Sequence, residues 1–184
     1  MKKIETPLTN EIIRSLRAGD EVAISGVVYT ARDAAHKRLC KLFEENKQLP
    51  IPVKGQVIYF VGPTPARPGK VIGSAGPTTS ARMDKFSPIL LNAGLKGMIG
   101  KGYRGDSVRE SLKKNCAVHF AALGGAGALL SQYIISAEVV AYEDLGTEAI
   151  RKLELKDFPA IVAYDSFGNT VFKMKGAAKG KDAD

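Results

Sequence analysis

The segment EVAISGVVYT (residues 21–30) constrains the fold more than any other, because a second periodicity begins directly at its end. It alternates and is rich in β-branched residues, which predicts a strand. It runs without a break into ARDAAHKRLCKLFEENK, where Ala34, Leu39, Leu42 and Phe43 recur at helical spacing. Thr30 and Asp33 resemble a capping box at that junction, with Asp in the place usually taken by Glu. A period that changes from 2 to 3.6 within one junction marks a strand feeding a helix, and the pattern recurs down the chain.

VIYFVG (57–62) reads as a second strand, closed by the turn residues GPTP. GSAGPTTSARMD (73–84) leads into a helix near 80–93 that Pro88 should distort. GMIGKGY is a short buried strand ending in glycines, and SVRESLKKN is an amphipathic helix with Ser107 as its cap and Glu110 three residues on. AVHFAAL is a strand, GGAGALLSQYI a glycine-started helix and IISAEVVAYE a long strand. TEAIRKLEL reads as a short helix, and AIVAYDSFGNTVFKM as a hairpin turning at SFGN. Strands alternating with helices predict an α/β fold, and the hairpin makes its sheet mixed.

A chain of 184 residues favours one domain with a real core. That domain is expected to span residues 1–175. The stretch GAAKGKDAD (176–184) lacks apolar anchors and is expected to be a disordered tail. No apolar run reaches the roughly 18 residues of a membrane span, and MKKIETPLTNEII lacks the apolar stretch of a signal peptide. Cys40 and Cys116 stand far apart in regular segments, so a reducing cytoplasm is expected rather than a disulfide framework. The net charge of +8 permits nucleic-acid binding. However, the basic residues are scattered and no aromatics interleave with them, which favours solvated helix faces and a small anionic substrate.

Three basic residues stand at element junctions: Arg32 after the first strand, Arg82 after the threonine-rich turn, and Lys101 in GKGYRGD. Ligand sites of α/β folds gather at such junctions. A helix start already carries partial positive charge, so an arginine there suggests an anion to be bound. The planar guanidinium suits a carboxylate or phosphate, and exposed surface arginines are the alternative. Thr78, Thr79 and Ser80 are either helix caps or site hydroxyls. In a helix, a hydroxyl four residues before Arg82 would face the guanidinium. GGAGALL is an incomplete dinucleotide fingerprint, better explained by tight helix–strand packing. His36 and His119 lack metal-ligand spacing and read as structural, with Asp33 as a possible partner for His36. Two isolated cysteines cannot supply the thiolates of an iron–sulfur cluster unless another chain contributes.

Taken in order, EVAISGVVYTARDAAHKR, VIYFVGP, GSAGPTTSARMD and GMIGKG with SVRESLKKN close behind it resemble the β subunit of class I fumarate hydratases and L(+)-tartrate dehydratases. The same unit forms the C-terminal domain of single-chain forms. The likeness covers roughly residues 10–172, and GSAGPTTSARMD is its most specific block. The resemblance implies a swivelling β/β/α domain and an α subunit that carries a [4Fe–4S] cluster on three cysteines with one open iron. It implies reversible hydration of fumarate to (S)-malate, or the analogous dehydration of tartrate, by a higher hetero-oligomer. It also implies that Arg32, Arg82 and Lys101 bind the carboxylates of a small dicarboxylate and that Thr78 is the catalytic base. No cofactor or metal ligand is expected in this chain, and neither nucleic acid nor membrane is an expected partner. The rival readings are a stand-alone anion-binding module and a basic RNA-binding domain.

Overall fold

The computed structural model describes residues 1–122 and 127–173. Its elements in chain order are β1 (Lys2–Glu5), α1 (Asn10–Ser15), β2 (Glu21–Thr30), α2 (Asp33–Glu44), β3 (Val57–Tyr59), α3 (Ser87–Asn92), β4 (Gly97–Gly100), α4 (Asp106–Asn115), β5 (Val118–Ala122), α5 (Gly127–Leu130), β6 (Ile134–Ala141) and β7 (Ile150–Tyr164). Short 3-10 segments cover Ser80–Met83, Ser131–Tyr133 and Glu143–Glu148, the last broken at Gly146. The expected tail 176–184 lies outside the described residues, as do the glycines Gly124 and Gly125 of GGAGALL.

The strands form one mixed sheet in the order β1-β2-β3-β4-β5-β7-β6, and β2 also pairs with β7. That extra pairing closes β2, β3, β4, β5 and β7 into a barrel. β1, β2, β3, β4 and β5 run parallel to one another, whereas β7 is antiparallel to β2, β5 and β6. The architecture is therefore mixed α/β, as the alternation of periods predicts. The expected hairpin contributes little to the mixing. Its turn does fall at residues 165–168, but the returning chain makes a single bridge, Tyr164 with Thr170.

Burial on both sides explains why VIYFV reads as one continuous apolar run. Val57, Tyr59 and Val61 face a core inside the barrel with Val28, Phe120, Leu153, Phe158 and Val162. Ile58 and Phe60 point the other way, into a second core shared with Leu39 of α2, Leu90 and Leu91 of α3, and Val108 and Leu112 of α4. A period of two across a strand with both faces covered leaves no polar positions to alternate.

Four local expectations are corrected. Thr30 does not cap α2: its Oγ accepts from the Arg151 N–H at 2.9 Å and donates to the Ala149 carbonyl at 3.3 Å, so it cross-links β2 to β7. The Ala34 N–H of the first helical turn instead meets the Glu148 carboxylate at 3.4 Å. The helix expected near 80–93 is a 3-10 turn and, after it, α3. Pro88 sits in the first turn of α3, where its missing N–H has no intrahelical partner to lose. Ser107 lies inside α4, whose N-cap is Gly105, with the Gly105 N–H donated to Asp84 Oδ2 at 2.7 Å. Finally, most of TEAIRKLEL is strand: β7 runs unbroken from Ile150, with Leu153 and Leu155 buried and Lys152 and Glu154 exposed.

Candidate functional site

β2, β3 and β4 are adjacent and parallel, so the segments leaving their C-terminal ends converge on one edge of the barrel. Arg32 comes after β2 and is the N-cap of α2, yet its side chain makes no capping bond. Instead it lies across Gly62 beyond β3, where an added Cβ would come within 3.0 Å of its Cδ and Nη1. A side chain at residue 62 would press on that arginine and on the Thr147 carbonyl, 3.2 Å from the same Cβ position. Lys101 comes after β4 with an exposed side chain, and its backbone pairs with Thr79 and accepts the Ser80 N–H at 2.8 Å. The Thr78 N–H donates to the Phe60 carbonyl at 2.7 Å. The GSAGPTTSARMD stretch is thereby stitched to the ends of β3 and β4, and its far side leans on α5. There the Ala75 N–H donates to the Gly127 carbonyl at 3.1 Å, and a Cβ on Gly127 would collide with the backbone of Ala75 and Gly76. For Gly127, the one glycine of GGAGALL among the described residues, this contact favours packing over a dinucleotide site.

Arg32 and Arg82 meet over a carboxylate. Arg82 Nε donates to Asp33 Oδ1 at 3.1 Å, Arg82 Nη2 lies 3.0 Å from Asp33 Oδ2, and Arg32 Nε lies 3.9 Å from that same oxygen. The Arg82 side chain remains 50% exposed and that of Arg32 25%. Arg82 thus stands half in solvent, whereas Arg32 is largely covered and its buried Nε lacks a hydrogen-bond partner. The exposed Arg82–Asp33 pair contributes only about 0–1 kcal/mol to folding. What the pair does show is that a carboxylate fits between the two arginines.

The three hydroxyls separate by burial. Ser80 is fully buried and turned inward, Thr79 is exposed, and Thr78 is half-buried. The expectation that Thr78 and Arg82 stack across one helical turn does not describe the geometry. The turn starts at Ser80, and Thr78 precedes it in a segment held by β3. None of the three side chains caps a helix: neither the 3-10 turn nor α3 has a side-chain capping bond.

Asp33 partners Arg82, not His36. The His36 Nδ1 lies 2.8 Å from the Arg32 carbonyl, which fixes the proton on Nδ1 and leaves the buried Nε2 without a hydrogen-bond partner. Burial drives its pKa down to about 4, so His36 is neutral; the nearby Arg104 acts in the same direction. Cys40 is buried on α2 with its thiol pushed up to about 12 by desolvation, and Cys116 is the left-handed C-cap of α4. Among the described residues no group of three or more His, Cys, Asp or Glu side chains could hold a metal ion. No helix among them is long and apolar enough to cross a membrane.

Asp33 and Arg104 were missed as site-shaping residues by sequence reasoning. Asp33 had one visible signal, its place beside Arg32 in the first turn of α2; Arg104 had none, because its partners are scattered through the chain.

Fold and site together describe an α/β barrel that presents two arginines, a lysine and a threonine on the C-terminal edge of its parallel strands, an arrangement suited to a small carboxylate. The chain belongs to the Fumarase C-terminus family, whose sequence profile matches residues 2–175. It is 38% identical over 155 residues to the anaerobic class I fumarate hydratase of Escherichia coli K12, a match covering 83% of this chain and 28% of that protein. It is 36% identical over 173 residues to a putative class I fumarate hydratase of Geobacillus stearothermophilus, covering 91% and 33%. A putative L(+)-tartrate dehydratase subunit beta of Methanocaldococcus jannaschii is 34% identical over 172 residues, covering 90% of this chain and 88% of that protein. The chain thus spans about a third or less of the length of the fumarate hydratases it matches, and nearly all of the tartrate dehydratase subunit.

Proposed function

We propose that the chain is the β subunit of a heteromeric hydro-lyase that adds water reversibly to fumarate to give (S)-malate. The observation that carries this reading is the Asp33 carboxylate held between Arg32 and Arg82 at the edge where Thr78 and Lys101 also arrive. A dicarboxylate needs fixed positive charge at both ends. Arg32 and Arg82 serve one carboxylate and Lys101 the other. Thr78 moves the proton on the carbon next to a carboxylate, and Arg82 offsets the negative charge that builds there.

The chain's own donors do not fit the [4Fe–4S] cluster that the family resemblance implies, since its two cysteines are a buried thiol on α2 and a helix cap on α4. The cluster ligands are therefore assigned to a partner α subunit, together with the general acid, in a reducing cytoplasm. The half-exposed Arg82 supports a site that a second surface completes.

L(+)-tartrate dehydration is the second reading, supported by the beta subunit from Methanocaldococcus jannaschii whose length this chain nearly matches. Anaerobic co-expression with an α-type subunit, cluster reconstitution and assays on fumarate and L(+)-tartrate test both. Activity confined to the complex is expected, with Arg82→Ala lowering kcat/KM by at least about 100-fold while the chain stays folded. An intact complex inactive on either acid, or an Arg82→Ala complex with near wild-type kcat/KM, would sink the assignment.

A further inference from the structure

Beneath the turn that carries Arg82 and follows Thr78, a polar cluster occupies the apolar core between the sheet and the helices. At its centre is Arg104, whose side chain is wholly buried. Its Nε donates to Asp84 Oδ1 at 2.7 Å, its Nη2 to Ser87 Oγ, and its Nη1 to the Met98 sulfur at 3.4 Å and to His119 Nδ1 at 3.2 Å. The Arg104 backbone N–H donates to the Tyr164 hydroxyl at 2.9 Å.

These bonds fix the state of His119. An arginine can only donate, so Nδ1 accepts, the proton resides on Nε2, and Nε2 donates to Ser80 Oγ at 3.3 Å. Ser80 in turn gives its N–H to the Lys101 carbonyl. The guanidinium thus grips both ends of one short turn: Asp84 directly, and Ser80 through His119. It also anchors the loop that Lys101 begins.

A guanidinium buried against a single carboxylate is a poor source of stability, because the desolvation of both charges consumes the attraction between them. Apolar side chains could fill the same volume. What the charged cluster supplies and apolar packing would not is direction.

We propose that Arg104 and His119 are positioning residues that hold Thr78, Arg82 and Lys101 in register with one another. The identity of those three as site residues rests on the functional reading above; the mechanical coupling does not.

The test is amide hydrogen exchange, by NMR, on the full chain. His119→Phe keeps the ring and removes both nitrogens. Exchange at the Thr78 and Ser80 amides is expected to quicken by roughly ten-fold or more, while the amides of β2 keep their wild-type rates. His119→Gln can accept from Arg104 and donate to Ser80 through its amide, and is expected to return both rates to near wild type. Should the phenylalanine variant not fold, Ser80→Ala breaks the same link with a smaller change and carries the same local expectation.

In the assembled enzyme the phenylalanine variant should lose at least about ten-fold in kcat, with the glutamine variant recovering most of it. Unchanged exchange at Thr78 and Ser80, an equal rise along the whole chain, or no recovery with glutamine would overturn the proposal. A wild-type assembly inactive on both acids would count against the functional reading alone, since the exchange result is obtained without turnover.

Discussion

In the proposed reaction Thr78 moves the proton, and its surroundings make a clean experiment available. Its backbone is fixed by the bond from its N–H to the Phe60 carbonyl, and Thr78 is half-buried. Thr78→Val keeps the branched shape and removes only the hydroxyl. If Thr78 is the base, kcat in the reconstituted enzyme should fall by about 100-fold or more with KM little changed. A kcat within two-fold of wild type would leave Thr78 as packing at the barrel edge. Position along the chain was enough to place Arg32, Arg82 and Lys101 at element junctions, because a change of period marks where a strand gives way to a helix. It was not enough to find Asp33 opposite Arg82, 49 positions away, or Arg104 beneath the turn. Both depend on which strands lie side by side, and no local pattern encodes that. Ser80 illustrates the same limit: next to two threonines it is one hydroxyl among three, and only the position of His119 on β5 turns it inward.

Among the elements, β7 was the hardest to read. Arg, Lys, Leu and Glu are good helix formers, and IRKLEL is composed almost wholly of them. The alternation of Leu153 and Leu155 with charged neighbours was nevertheless present, and burial on the barrel side made it decisive. Pro159, which would argue against a central strand, falls where β7 changes neighbours: β6 pairs as far as Leu155, β5 takes over at Ala160, and Pro159 faces Ala23 of β2. Asp157 just before it adopts a left-handed conformation, with its N–H donated to Ser25 Oγ at 3.0 Å. A bend is needed there, and a residue without an N–H is tolerated at such a place. The junction of β2 and β7 carries its own prediction. Thr30→Val would strand the Arg151 N–H in the interior, so the urea midpoint should shift by an amount equivalent to about 1–3 kcal/mol. A midpoint unchanged within error would mean that the Thr30 bridge contributes nothing to closing the barrel.

For the molecule as a whole, the two buried histidines make the fold sensitive to acid. His36 is held at about 4 and His119 well below its ordinary value, both chiefly by burial, whereas an unfolded chain protonates its histidines near 6.5. Between those values the unfolded state binds protons that the folded state refuses, so stability falls as pH drops through that window and is indifferent to these groups above it. His36 alone should remove about 3 kcal/mol by pH 4, which urea titrations at pH 7 and near pH 4.5 would detect; equal midpoints would mean that the imidazoles are not held neutral. The closing strand has a different effect, on the order of events. β2 is bonded along its length by β7, whose residues 152–161 pair with 21–29. A ribosome releases one long before the other, so β2 must wait with an open edge while the intervening helices form. Chains that depend on such distant pairing fold slowly. For this one, the interval before β7 emerges is when the nascent chain is most exposed to aggregation.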